Sequence, residues 1–252
     1  MALLSTRDLG VAFGAKRAVD GFTLEVGEGQ LVGLIGPNGA GKTTTIDAIT
    51  GFVPSTGTVT FDGTDISGFS STERARAGLG RTWQSSELFD DLTVMENLQV
   101  AAERIDVKGF LRDLVKPRND DLSAMEAILD SLDLTGSAGV LPTDLSHGQR
   151  KLVGVARALA MKPQLVLLDE PAAGLDTAET AAMAERVRGL AQHGIAVLLV
   201  DHDMSLVASV CDRVVVLDLG TVIATGAPVE VLTNPAVVAA YLGATAASEA
   251  GR

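Results

Sequence analysis

LVGLIGPNGAGKTTTIDAIT, residues 31–50, sets an apolar run, a glycine-rich loop and a helix-forming stretch in unbroken succession. The loop GPNGAGKT (36–43) fits the pattern GxxxxGK[ST]. Its glycines let successive backbone N–H groups turn inward on phosphate oxygens, where a Cβ would stand in the way. Lys42 is placed to meet the β and γ phosphates and the Thr43 hydroxyl to bind Mg²⁺. The first turn of the following helix aims its positive dipole end and free N–H groups at the same anion. The strand before and the helix after separate this loop from a chance match. Gly36, Pro37, Asn38, Gly39, Ala40, Gly41, Lys42, Thr43 and Thr44 are thus read as a cradle for a nucleoside triphosphate.

Outward from the cradle, LVLLD (165–169), VLLVD (197–201) and VVVLD (214–218) repeat the character of LVGLI. Runs without a polar side suit strands covered by helices on both faces, and so a mostly parallel sheet. Residues 3–28 differ: they alternate around LGVAF and GFTLEV and are broken by Gly14, Gly21 and Gly27, as expected of an antiparallel hairpin layer. A second hairpin is expected around 57–63. Helical spacing takes over between about 92 and 160, with Met95, Leu98, Val100 and Ala101, then Met125, Ile128, Leu129 and Leu132, then Leu152, Val155, Ala156 and Leu159. The expected fold is a single α/β domain. Its core comes from roughly 1–91 and 161–243 with an N-terminal antiparallel β layer, and a helical subdomain is inserted at roughly 92–160. A loop is expected at 109–121, around Pro117, and a flexible tail at 244–252.

The chain has 252 residues, 46% hydrophobic, enough for one large α/β core or two closely joined subdomains. Its net charge of −12, without a local basic patch, argues against a nucleic-acid partner. The opening MALLSTRDLGVAF lacks a charged region followed by an apolar one, and no stretch approaches the roughly 20 apolar residues of a membrane span. A soluble, cytosolic chain is expected. The single cysteine, Cys211, lies in apolar sequence, where a buried structural thiol is expected rather than a reactive one.

Two further stretches carry chemistry. LVLLDE ends in Asp169 and Glu170: the first carboxylate can hold Mg²⁺ through its water shell, and the second can orient or deprotonate an attacking water. LSHGQ (145–149) runs into a helix and supplies a hydroxyl, backbone N–H groups and a helix dipole, a second anion site. Ser146 also serves there as an ordinary N-cap. One cradle already holds the triphosphate from one side, so a second phosphate site makes sense only if it faces a nucleotide held by another subunit.

The order GPNGAGKT, Gln84, LSHGQ, LVLLDE, AGLD and His202 resembles the ATP-binding cassette ATPases that drive membrane transporters, over nearly the whole chain. The resemblance implies ATP and Mg²⁺ as ligands, with Gly148 and Gln149 joining Ser146 at the second site. Phe13 resembles the aromatic that stacks on adenine; a core residue on a strand face is the other reading. Gln84 resembles the residue that touches Mg²⁺ and the attacking water near the membrane partner. Glu170 resembles the general base, Asp169 the metal-associated acid, Asp176 the residue that communicates across a dimer, and His202 the histidine that contacts the γ-phosphate. The partners so implied are transmembrane permease subunits, a second cassette ATPase packed head to tail and, indirectly, an extracytoplasmic substrate-binding protein. The implied location is the cytoplasmic face of the cell membrane. Leu88, Phe89 and Leu92 are candidate permease contacts or helix-packing residues.

RTWQSSELFDDLTVMENLQVA, DEPAAGLD, DHDMSLV and GAPVEVLTNPAVVAAYLG narrow the resemblance to the larger ATPase of branched-chain amino acid importers. ATPases of urea or short-amide importers share much of the pattern. His147 stands where glycine is commonest, Trp83 where Phe is usual, and Asp201 where Glu is usual. His147 can crowd the second anion site or add a donor to it. A DNA-repair or chromosome-organising cassette would need a long coiled-coil insertion, and no heptad run separates Lys42 from Ser146. A ribosome-acting protein would carry two cassettes, and a non-catalytic module would have lost Glu170.

Overall fold

The computed structural model describes residues 2–82, 88–102 and 119–250. Strand β3 (Leu31–Ile35) is buried throughout and stands inside a six-stranded sheet of order β10-β9-β3-β8-β7-β6. Both its neighbours, β8 (Ala196–Val200) and β9 (Arg213–Asp218), run parallel to it. Strands β7 (Leu165–Asp169) and β6 (Leu79–Arg81) continue the parallel order, and β10 (Thr221–Gly226) closes the far edge antiparallel. Leu34 and Asp169 both pair with Val200, so β3, β8 and β7 end at one level. Whatever follows those strands shares one rim.

The strand sequences are apolar throughout because the sheet has a core on each face. In β7, Val166 and Leu168 join one core, while Leu165 and Leu167 join the other; in β8, Val197 and Leu199 alternate with Leu198 and Val200 in the same way. Each such side chain, fully buried, contributes about 1.5–3 kcal/mol. One core lies under a four-stranded antiparallel sheet of order β2-β1-β4-β5, built from β1 (Ala2–Phe13), β2 (Lys16–Gly27), β4 (Thr56–Phe61) and β5 (Thr64–Asp65). Helix α1 (Lys42–Thr50) buries Ile46 and Ile49 in that core, and α2 (Ser71–Ala77) anchors to it through buried Arg74, which donates to the Ala48 and Ile49 carbonyls.

The other core is shared with α3 (Val94–Ala102), α4 (Asn119–Ser131), α5 (His147–Ala160), α6 (Thr177–Gln192) and α7 (Met204–Val210). Val231 of α8 (Pro228–Leu232) and Val237 of α9 (Pro235–Ala250) complete it. Cys211 is buried beside it, as expected, and burial pushes its thiol up to about 12. No helix among the described residues is long and apolar enough to cross a membrane.

Three expectations change. Of the loop expected at 109–121, residues from Asn119 onward belong to α4, where the Met125 and Leu129 stripe carries the helix backward; 103–118 lie outside the described residues. The tail expected after Gly243 continues α9 to Ala250, in line with its alanine-rich sequence, since alanine is the strongest helix former. In α3, Val100 is exposed and Asn97 is fully buried. Asn97 accepts from the Phe89 N–H and donates to the carbonyls of Phe89, Leu92 and Thr93, which is how a polar side chain holds a core position.

Candidate nucleotide site

The cradle begins where β3 ends. Gly41 is the N-cap of α1 with φ 103° and gives the helix no side-chain cap. In contrast, α2, α5, α6 and α7 are capped by Ser70, Ser146, Asp176 and Asp203. The first-turn N–H groups of α1, those of Thr43 and Thr44 among them, are therefore left for an anion. The loop is held from beneath: a Cβ on Gly41 would come within 2.5 Å of the Ala18 carbonyl oxygen, and Gly220 N–H donates to the Ala40 carbonyl at 2.9 Å. Asn38, Gly39 and Thr43 are exposed. Lys42 is buried and donates to the carbonyls of Gly36 at 2.7 Å and Pro37 at 3.1 Å. Burial lowers its pKa, while Glu170, Asp169 and Asp201 pull it back up.

Those three acids sit on the same rim. Asp169 ends β7; its N–H donates to the Thr82 hydroxyl at 3.2 Å and its carboxylate lies 3.5 Å from the Arg81 guanidinium. Burial raises the Asp169 pKa, Arg81 opposes the rise and Glu170 adds to it. Arg81 also donates to Asp47 at 2.6 Å and to the Thr50 hydroxyl at 3.1 Å, so it ties the ends of β6 and β7 to α1. Glu170 donates its N–H to the Val200 carbonyl at 2.7 Å and has φ 49°, a left-handed conformation that costs a non-glycine residue about 1–3 kcal/mol. Its carboxylate lies 3.9 Å from His202 Nδ1. Asp201 is fully buried and accepts from the N–H groups of Ala172 and Asp203, bracing the loops after β7 and β8 against each other.

The second expected anion site lies against the segment that follows Glu170. Ser146 caps α5 in a reciprocal box: its hydroxyl oxygen accepts from the Gln149 N–H at 3.2 Å, and its own N–H donates to the Gln149 side chain at 3.0 Å. That leaves the hydroxyl proton free to donate outward from an exposed residue. Gly148 lets α5 approach α6, since a Cβ there would stand 3.1 Å from the Glu179 carboxylate. Asp176 and Glu179 form a second reciprocal box at the start of α6. The His147 ring turns to the Ala173 carbonyl at 3.3 Å.

Phe13 is 55% exposed at the end of β1, which excludes the core reading. Phe13 pairs with Lys16, close in sequence to Ala18, whose carbonyl abuts the cradle. Gln84 and Trp83 lie outside the described residues. Leu88 packs against the helical core, while Phe89 is exposed with the Arg157 guanidinium 5.1 Å from its ring. Three groups escaped sequence reasoning: Arg81, Lys151, whose ammonium donates to the Glu170 carbonyl at 2.9 Å, and Tyr241. Burial raises the Tyr241 phenol to about 12 against the pull of the Gly36 backbone. For Arg81 the signal was its place at the head of the quoted RTWQ stretch.

The residues that could hold Mg²⁺ are Thr43, exposed at the start of α1, and Asp169, held by Arg81 at the strand end. Among the described residues no group of three or more His, Cys, Asp or Glu forms an all-protein cage. The set fits an ion shared with phosphate oxygens, the usual situation for Mg²⁺.

A glycine cradle and paired acids on one rim of a parallel sheet define a P-loop nucleotide-binding protein of the hydrolase type. A family model described as ABC transporter matches residues 19–173, and the chain belongs to that family. A second model, described as branched-chain amino acid ATP-binding cassette transporter, matches residues 221–247. Over 96% of this chain and 98% of the relative, the sequence is 40% identical to the high-affinity branched-chain amino acid transport ATP-binding protein BraF of Pseudomonas aeruginosa. At the same coverage it is 37% identical to the corresponding protein LivG of Escherichia coli. The lipopolysaccharide export system ATP-binding protein LptB of Escherichia coli is 35% identical, again over 96% and 98%. A solved ATP-binding cassette of an ABC transporter in its ADP conformation superposes with a TM-score of 0.86 at 31% identity, covering 96% of this chain and 99% of that one.

Proposed function

We propose that this chain is the ATP-hydrolysing subunit of an importer for branched-chain amino acids, bound to permease subunits at the cytoplasmic face of the membrane. The observation that carries hydrolysis is Glu170, placed at the end of β7 within 3.9 Å of His202 and within electrostatic reach of Lys42. The solute class is supported by the BraF and LivG relatives and by the match at 221–247. A urea or short-amide importer is the second reading, since those ATPases share much of the motif set.

In this reading Lys42 and the N–H groups of 39–44 bind the β and γ phosphates, and Phe13 stacks on adenine. Thr43, Asp169 and Gln84 would hold Mg²⁺, which supplies charge neutralisation on the phosphates. Glu170 takes the proton of the attacking water, and His202 holds the γ-phosphate in line. Gly148 lies against Glu179 of its own chain and Ser146 is exposed, which favours Ser146, Gly148 and Gln149 serving the nucleotide of a second cassette across a head-to-tail interface. Asp176 lies at that interface. Binding then closes the pair and hydrolysis opens it. Residues near 92–160 act as the helical subdomain that meets the permease, and a substrate-binding protein delivers the solute from outside.

The test is reconstitution in vesicles with candidate permease subunits and a binding protein, followed by uptake of labelled leucine, isoleucine, valine and urea. ATP-dependent accumulation of the three branched amino acids is expected. Accumulation of urea alone supports the second reading, and no ATP-dependent uptake of any of the four overturns both.

A further inference from the structure

We propose that His147 and Lys151 form a two-point clamp by which helix α5 fixes the segment 170–174 and so positions Glu170. The proposal rests on the reading of Glu170 as the base. The two residues are four apart on α5 and so share one face of the helix. Lys151, itself buried, donates to the Glu170 carbonyl at 2.9 Å, and the His147 ring meets the Ala173 carbonyl at 3.3 Å. A carbonyl can only accept, so the second contact uses the Nε2–H form of the imidazole.

The clamped segment needs holding. Glu170 sits at φ 49° and Gly174 at φ 78°, so both ends of the turn are left-handed. Its internal bonds run from Ala173 N–H to the Glu170 carbonyl at 3.2 Å and from Leu175 N–H to the Ala172 carbonyl at 3.1 Å. Lys151 adds a second donor to the same Glu170 oxygen that closes the turn. A strained backbone persists only where its surroundings over-determine it, and these contacts supply the constraint from the side of α5. The helix that presents Ser146 outward is therefore joined, one turn further in, to the base of its own chain. The join passes through the Glu170 peptide carbonyl rather than through its carboxylate. His147, which departs from the commonest residue of the motif, thus faces the loop after Glu170, where it supplies the clamp's second point.

The experiment compares full-length wild type, Lys151→Met, Lys151→Arg, His147→Gln, His147→Ala and Glu170→Gln. Lys151→Met is expected to lower kcat at least tenfold while the Kd for a non-hydrolysable ATP analogue stays within threefold. Lys151→Arg, which keeps a cationic donor, is expected to recover at least a third of wild-type kcat. His147→Gln is expected to stay near wild type and His147→Ala to lose about threefold. Amide hydrogen exchange at Ala173 and Leu175 supplies a readout that needs no turnover, and it should accelerate at least tenfold in Lys151→Met. Unchanged exchange at both amides overturns the clamp, as does kcat within threefold of wild type in Lys151→Met. Equal loss in Lys151→Met and Lys151→Arg with intact folding also overturns it, because the lysine would then act chemically rather than by position. If Glu170→Gln hydrolyses ATP as wild type does, the base assignment fails, and the exchange data still decide the clamp.

Discussion

Replacing Glu170 by Gln separates the shape of the site from its chemistry. The residue is fixed through its backbone: its N–H donates to the Val200 carbonyl at 2.7 Å and its carbonyl accepts from Lys151 at 2.9 Å. Neither bond uses the carboxylate, and Gln keeps its length and volume, so the rim should hold its form. Lys42 keeps Asp169 and Asp201 as counter-charges and remains in the cradle. What disappears is proton acceptance from water. General-base catalysis is worth about 10²–10⁴ in rate, and at about 1.36 kcal/mol per decade the barrier rises by about 2.7–5.4 kcal/mol. Steady-state phosphate release should fall by that factor. ATP should still bind with a Kd within threefold of wild type, and ATP-dependent dimers should persist in size-exclusion chromatography with light scattering. Phosphate release within threefold of wild type would refute the assignment of Glu170 as the base.

Three other substitutions probe the rest of the rim. Lys42→Ala removes the buried ammonium proposed to bind the phosphates and should cost at least 10²–10³ in kcat, about 2.7–4 kcal/mol; activity within tenfold of wild type would show that another group carries the charge. Gly41→Ala forces a Cβ to 2.5 Å from the Ala18 oxygen at φ 103° and should destabilise the fold by about 2–4 kcal/mol and abolish ATP binding, checked by urea unfolding and by titration with ATP. Asp169→Asn tests the raised carboxyl. Because its folded pKa stands above the ordinary 3.8, the folded chain holds the proton longer than the unfolded one, so this contribution to stability is full below 3.8 and fades as pH rises through the raised value. The Asn variant lacks that decline: its stability relative to wild type should increase with pH across the window while Mg²⁺-dependent turnover is lost, and a difference flat with pH would refute the burial argument.

Much of this architecture was legible because it is written locally. The cradle, the hairpin layer and the four apolar runs each carry their signal within a dozen residues, and the runs became β3, β7, β8 and β9 with ends shifted by a residue at most. Strand β6, only Leu79–Arg81, is too short for a period, and β10 alternates too weakly to stand out. Asn97 broke the helical reading because its partners are loop carbonyls that only the fold assembles. Arg81 and Lys151 escaped for the same reason: each earns its place through contacts with Asp47, Asp169 or Glu170 across the structure, and no spacing announces such a bond.

The strand order also bears on synthesis. The cradle follows β3 and the acid pair follows β7, yet the two strands are not neighbours: β8, which comes later in the chain, lies between them. A nascent polypeptide that has emerged only as far as residue 190 holds both motifs but not the strand that brings them level. Hydrolysis is therefore expected only of chains that extend past Val200, and not of products truncated before it.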